Sequence, residues 1–324
     1  LLYYLPEDTL EVKALNLKVS DVYFNTRNDE NPLTSLYTSG SFKSKKVKSK
    51  LFSIDDLESK FSVVNGAYKL ESKMVRLFGE NAKGTSDVTF KPFADIPTIS
   101  INYNIKKFYA EEMLTTFLED TVITGPLSLT MNLNAQGVDW TTIISNLNGQ
   151  INLSSKGLLL YGLDADQIIE KFKRSQSFNL VDLGAVLLAG PVGIAVTKGS
   201  DIASIFVFNS GEQTTINKLV SNWNIKNGTF IIEDVAFTTN KNRVASNGYI
   251  DFSKDSLDID IALIDKNGCN IFSQRAYGNL NEPTLESVKV VGTILSPVTN
   301  LIEDILGIDC DVFYDGTVKH PINN

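Results

Sequence analysis

Strict alternation of apolar and polar residues is the strongest constraint on what this chain can fold into. Leu127, Leu129, Met131, Leu133 and Ala135 alternate with Ser128, Thr130, Asn132 and Asn134, and Ile99, Ile101, Tyr103 and Ile105 with Ser100, Asn102, Asn104 and Lys106. Leu257, Ile259, Ile261 and Leu263 alternate with Asp258, Asp260 and Ala262, and Ile151 and Leu153 flank Asn152. Successive side chains of a strand point to opposite faces, so each segment carries one apolar and one polar face. The strands of a parallel βα sheet are covered on both faces and read as continuous apolar runs instead. The expected fold is mainly β with a few short helices. It is an antiparallel, twisted meander sheet, curling into an open groove or closing as a sandwich.

Turn signals agree. Asn precedes Gly at 65–66, 148–149, 227–228, 247–248 and 267–268. Both residues tolerate positive φ, so the pair suits two-residue hairpin turns. Helix signals are few. Asp164 heads DADQIIEKFKR with Gln167 three residues on, placing Ile168, Ile169 and Phe172 on a buried side. Glu111–Leu118 is a short candidate, and Ser296-Pro297 opens a third. The polar stretch Asn25–Gly40, interrupted by Pro32, reads as a loop. The expected division is 1–146, an N-terminal β-rich portion, and 147–324, with one continuous sheet across both as the alternative.

Composition removes several function classes. Thirty Lys and Arg stand against 38 Asp and Glu, a net charge of −8, which argues against nucleic acid as a partner. A single histidine, His320, leaves no material for a His-based triad or a His-rich metal site, and its place near the end reads as an exposed tail. Asp251, Asp255, Asp258 and Asp260 do not match a calcium loop, and Asp258 and Asp260 read as the wet side of a strand. No cofactor, metal or catalytic residue is expected, and two-carboxylate glycoside chemistry is the weakest of the classes left open. No stretch of about 20 apolar residues is present. Gly184–Val196 is broken by Gly190, Pro191 and Gly193, so it reads as a buried or interfacial element and not a span. The chain opens LLYYLPEDTL, without an initiator Met, and reads as an excised or processed piece. Cys269 and Cys310 are too few for a disulfide scaffold and form either one bridge or two core thiols.

From about Leu147 onward the chain resembles the C-terminal region of the AsmA family of bacterial envelope proteins. The resemblance rests on Gly149-Gln-Ile-Asn-Leu, Gly157-Leu-Leu-Leu-Tyr-Gly-Leu-Asp, Asp182-Leu-Gly-Ala-Val-Leu-Leu-Ala-Gly-Pro, Ile225-Lys-Asn-Gly228 and Gly248-Tyr-Ile-Asp-Phe. Its most specific parts are Asp265-Lys-Asn-Gly-Cys269 and the run from Cys310 to Pro321. A looser version of the pattern begins near Gly40. The resemblance implies a periplasmic body, attached to the bacterial inner membrane by an N-terminal helix that this sequence lacks. It also implies a build similar to bridge-like lipid transfer proteins, a role in outer-membrane homeostasis, and a Cys269–Cys310 disulfide, since both cysteines lie in family-like motifs.

Together these features imply a protein that works without catalysis and binds phospholipid or another acyl-chain lipid along an apolar groove. The groove candidates are Ile99, Ile101, Tyr103, Ile105, Leu127, Leu129, Met131, Leu133, Ile151, Leu153, Leu257, Ile259 and Ile261. The alternatives are that these residues form the core of an ordinary sandwich, or that the protein is an envelope interaction module pairing with partner proteins at its sheet edges.

Overall fold

The computed structural model describes residues 11–25, 31–48, 53–77, 83–114, 123–161, 164–167, 169–170, 213–280, 282–290 and 312–321. These form a β-rich protein with short helices, built on a large antiparallel sheet that is not closed into a barrel. The chain divides into two compact units, Leu1–Ser154 with Asn224–Phe230, and Ser155–Trp223 with Ile231–Asn324.

In the first unit, β1 (Glu11–Lys13) and β2 (Asn16–Phe24) both pair with β3 (Leu36–Lys48). β4 (Ser53–Val64), β5 (Ala67–Leu77), β6 (Lys83–Lys91) and β7 (Thr98–Tyr109) follow in order, each antiparallel to the last. After α1 (Ala110–Leu114) and β8 (Ile123–Thr124), β9 (Pro126–Gln136) pairs with β7. Then α2 (Trp140–Ser145) leads to β10 (Asn148–Ser155), the neighbour of β9. The sequence gives no apolar period for α2, which forms because of its cap. Asp139 Oδ1 accepts from Thr142 N at 2.8 Å while Asp139 N donates to Thr142 Oγ1 at 3.2 Å.

The Asn-Gly pairs divide by role. Asn65 and Gly66 (φ 48° and 69°) and Asn227 and Gly228 (φ 49° and 76°) make two-residue hairpin turns. Gly149 and Gly248 instead lie inside strands, and Gly268 lies in a wider loop. The stretch read as a loop from Asn25 to Gly40 already enters β3 at Leu36. The Asp164 cap is present, with Gln167 N donating to Asp164 Oδ1 at 2.9 Å. The expected helix after Pro297 and the Gly184–Val196 run lie outside the described residues.

In the second unit, β11 (Leu158–Tyr161) pairs with β12 (Gln213–Ile216). β13 (Lys218–Lys226), β14 (Thr229–Thr238), β15 (Arg243–Asp251), β16 (Ser256–Ile264) and β17 (Asn270–Asn279) are successive neighbours, the Asn224–Phe230 stretch of β13 and β14 belonging to the first unit. β18 (Pro283–Leu285) and β19 (Lys289–Val290) both pair with β17. Val220, Ala236, Ala245, Ala262 and Ile264 form a buried cluster, covered by Tyr314 and Val318 of a terminal strap, residues 312–321. The strap is why His320 is buried, at 7% exposure, and not the exposed tail residue its position suggests. Asp251 is buried too. Its carboxylate accepts from Ser253 N, Ser253 Oγ, Lys254 N and Lys254 Nζ, so it anchors the β15–β16 turn and is no part of a solvated face. There is no free cysteine among the described residues, and Cys310 lies outside them.

At Gly248 (φ 122°) an added Cβ would come within 2.1 Å of Asp258 O on the neighbouring strand. Gly248→Ala is therefore expected to destabilise the protein by about 2 kcal/mol, read as a lower urea midpoint. Gly157→Ala, at φ 80° but with nothing within 4 Å, is expected to lose less.

Candidate functional site

Register turns the alternating segments of the first unit into lines of side chains crossing the sheet. Directly opposed residues share a face, so Phe61, Leu70, Val88, Ile101 and Leu133 make one line across β4, β5, β6, β7 and β9. Val63, Tyr68, Phe90, Ile99 and Ala135 make the next, and Ser59, Ser72, Ser86, Tyr103 and Met131 a third. A fourth pairs Ile105 with Leu129. A bulge at Lys107 (φ 57°) then resets the register, so that Phe108 faces Leu127 on the same side. Asn152 Nδ2 donates to Thr130 Oγ1 at 3.3 Å across the opposite, polar side. Ile151 and Leu153 therefore share the apolar face of Met131 and Leu129.

This face is unevenly covered. Ile105, Phe108, Leu127, Leu129, Ile151 and Leu153 are buried and belong to the core. Ile99, Ile101, Tyr103, Met131 and Leu133 are only half-buried, as are Phe61, Leu70, Val88 and Phe90. The structure thus brings ten of the thirteen sequence candidates onto one face and splits them into a closed end and an open one. Leu257, Ile259 and Ile261 lie in the second unit on β16, with Ile261 buried and the other two half-buried. Sequence reading missed Phe61, Leu70, Val88 and Phe90, because serines at 59, 72 and 86 dilute their alternation.

Those serines make the third line partly polar. Ser59 Oγ lies 2.6 Å from Ser72 Oγ, and Ser86 hydrogen-bonds Tyr103. Burial raises the Tyr103 pKa above the usual tyrosine value, against the opposing effect of Ser86, so the ring presents a neutral hydroxyl. The pairs satisfy the hydroxyls and fix strand register on an otherwise apolar surface.

The reverse face is polar. A concavity of about 650 Å³ is lined mostly by its residues, Asp87, Asn102, Asn104, Thr130, Asn132 and Asn152 among them, and also by Ser72, Ser86, Tyr103 and Met131 of the third line. Amides and carboxylates give acyl chains nothing to partition into, so only the Phe61–Leu133 face suits an apolar ligand.

A family model described as the AsmA family matches residues 25–234. No curated protein and no solved structure matches the chain. The match takes in β3 to β13 and stops within β14, leaving Asp265–Cys269 and Cys310–Pro321 beyond it although their motifs looked the most specific in the sequence.

Proposed function

We propose, since the chain belongs to the AsmA family, that it is a non-catalytic protein of the bacterial envelope whose first unit binds acyl-chain lipid on its apolar face and hands it on between the inner and outer membranes. Family membership is consistent with the envelope role, and the periplasm is the compartment this reading requires. The observation that carries the lipid reading is the half-buried line Phe61, Leu70, Val88, Ile101 and Leu133, flanked by Tyr68, Phe90 and Ile99.

An antiparallel sheet leaves one face to water only when that face is polar, and this one is not. Five strands at about 4.8 Å spacing give a line of roughly 19 Å, enough for a long acyl chain lying across them. Each methylene it buries contributes about 0.8 kcal/mol. Binding and release of this kind need no nucleophile, base or metal.

The test is mass spectrometry of lipid extracted from protein purified without detergent. Wild type is expected to carry phospholipid near stoichiometry, and Ile101→Asp with Leu133→Asp to lose it while keeping its circular dichroism. Asn102→Asp on the polar face should retain it. A folded wild type that carries no lipid and takes none from labelled vesicles would favour the interaction-module reading instead. Leu129→Asp is a poor probe, since Leu129 is buried and the variant would report on folding.

A further inference from the structure

Among the described strands, the apolar face runs out to β2. β2 pairs with β3 alone among the described strands, and all nine of its residues are exposed. Leu17 and Val19 are 56% and 50% exposed. Both continue the apolar face, for Leu17 opposes Phe42 and Val19 opposes Gly40. An added Cβ on Gly40 would meet the Phe61 ring at 2.5 Å, so that ring lies over Gly40 and joins Val19 to the Phe61–Leu133 line.

Edge strands are normally shielded by bulges, prolines or inward charges, because a free row of N–H and C=O groups templates another strand. Here positive φ at Ala14 (53°) and Asp21 (50°) irregularises the two ends. Asn16–Ser20 between them keeps unbroken register with β3 and contains no proline.

Charge says what could lie there. The described residues 11–25 and 31–48 carry six lysines against Glu11 and Asp21, in a chain whose net charge is −8. Lys43, Lys46 and Lys13 are paired with Glu58, Asp55 and Glu11. Lys48 stands opposite Glu11 on β1, whereas Lys18 and Lys45 have no ion-pair partner among the described residues. Two copies meeting edge to edge would bring these lysine-rich borders together, and like charges directly opposed across strands are unfavourable.

We propose that the Asn16–Ser20 edge of β2 is a docking site for an extended segment of another protein, with apolar residues at alternate positions and carboxylates between them. Main-chain pairing supplies the affinity. Leu17 and Val19 meet the apolar side chains on one face, and Lys18 meets the carboxylates on the other. The site does not depend on lipid binding, so either reading can fail alone.

The probe is a labelled nine-residue peptide alternating Val and Glu, with a Val and Lys counterpart as control, in fluorescence anisotropy at about 0.1 M salt, where charges beyond roughly 10 Å are screened. The Glu peptide is expected to bind, and the Lys peptide to bind about tenfold more weakly or not at all. Leu17→Asp should weaken binding about tenfold and Lys18→Glu about fivefold, both at exposed positions that leave the fold intact. Hydrogen exchange should slow at 16–20 when the Glu peptide is bound. Equal binding of the two peptides, no binding to a folded protein, or protection elsewhere would overturn the proposal. So would a dimer abolished by Leu17→Asp, which would make the occupant a second copy, or binding to anionic vesicles that the Glu peptide does not displace.

Discussion

Asp234→Ala is expected to remove about 3 kcal/mol of stability and to free the terminal strap from the second unit. One carboxylate holds the strap at three points. Its Oδ1 accepts from Tyr314 Oη at 2.6 Å, and its Oδ2 accepts from Thr317 N at 3.1 Å and Thr317 Oγ1 at 2.7 Å. Tyr314 Oη accepts in turn from Val318 N at 3.0 Å, so the hydroxyl is fully used. Bonds to a charged group contribute more than neutral ones, and losing the carboxylate also leaves the buried hydroxyl short of a partner. The exposed contact of Lys218 Nζ with Thr317 O cannot replace it. A lower urea midpoint is not enough as a readout; hydrogen exchange at 312–321 should also rise. An unchanged midpoint with full protection would mean that the apolar cover of Tyr314 and Val318, with the bonds to Gly268, Arg243 and Asn247, holds the strap without Asp234.

The same network gives a pH prediction. Burial, and then the hydrogen bond to Asp234, raise the Tyr314 pKa above its ordinary value of 10.0. A folded-state pKa above the unfolded one means that the stabilisation is complete below the unfolded value and fades as pH rises from there through the folded value. Wild type should lose stability from about pH 10 upward more steeply than Tyr314→Phe, which is less stable at neutral pH but lacks this titration.

How much of this was legible in the sequence depends on whether the cause is local. Period-two alternation comes from one strand's own geometry, so the segments at 99–105 and 127–135 are plain in the sequence. Which residues line up across strands is set by register and by bulges such as Lys107, and no residue spacing announces it. The open line therefore contains Phe61, Leu70 and Val88, hidden behind serines, while Leu129 and Leu153 fall at the closed end. Asn-Gly pairs signal a willingness to adopt positive φ, which Gly248 uses for close strand approach and Gly66 for a turn. The strap was least legible of all. Asp234 and Tyr314 lie 80 positions apart, and Arg243 reaches Val318 O at 3.1 Å from beneath the Tyr314 ring, contacts that only the folded chain brings together.

Pairing of Cys269 with Cys310 is expected to contribute about 4 kcal/mol, the value for closing a loop of this size in the chain-entropy account. The support is positional. Cys269 forms an antiparallel bridge with Val312, and Gly268 O accepts from Phe313 N at 2.9 Å and Tyr314 N at 3.0 Å, so the chain just past Cys310 runs beside Cys269. An oxidising periplasm would keep such a bond. Non-reduced protein should be lighter by two hydrogens than reduced protein, and Cys269→Ser and Cys310→Ser should lower the urea midpoint equally. Because the bond and the Asp234 network restrain one strap, their losses should not add. Cys310→Ser with Asp234→Ala should cost clearly less than the two singly, since the strap once released has nothing further to lose. Strict additivity would place the two restraints on separate elements and would sink the strap as the shared one. Unequal effects of the two serine variants would instead show that one cysteine acts as a packed thiol.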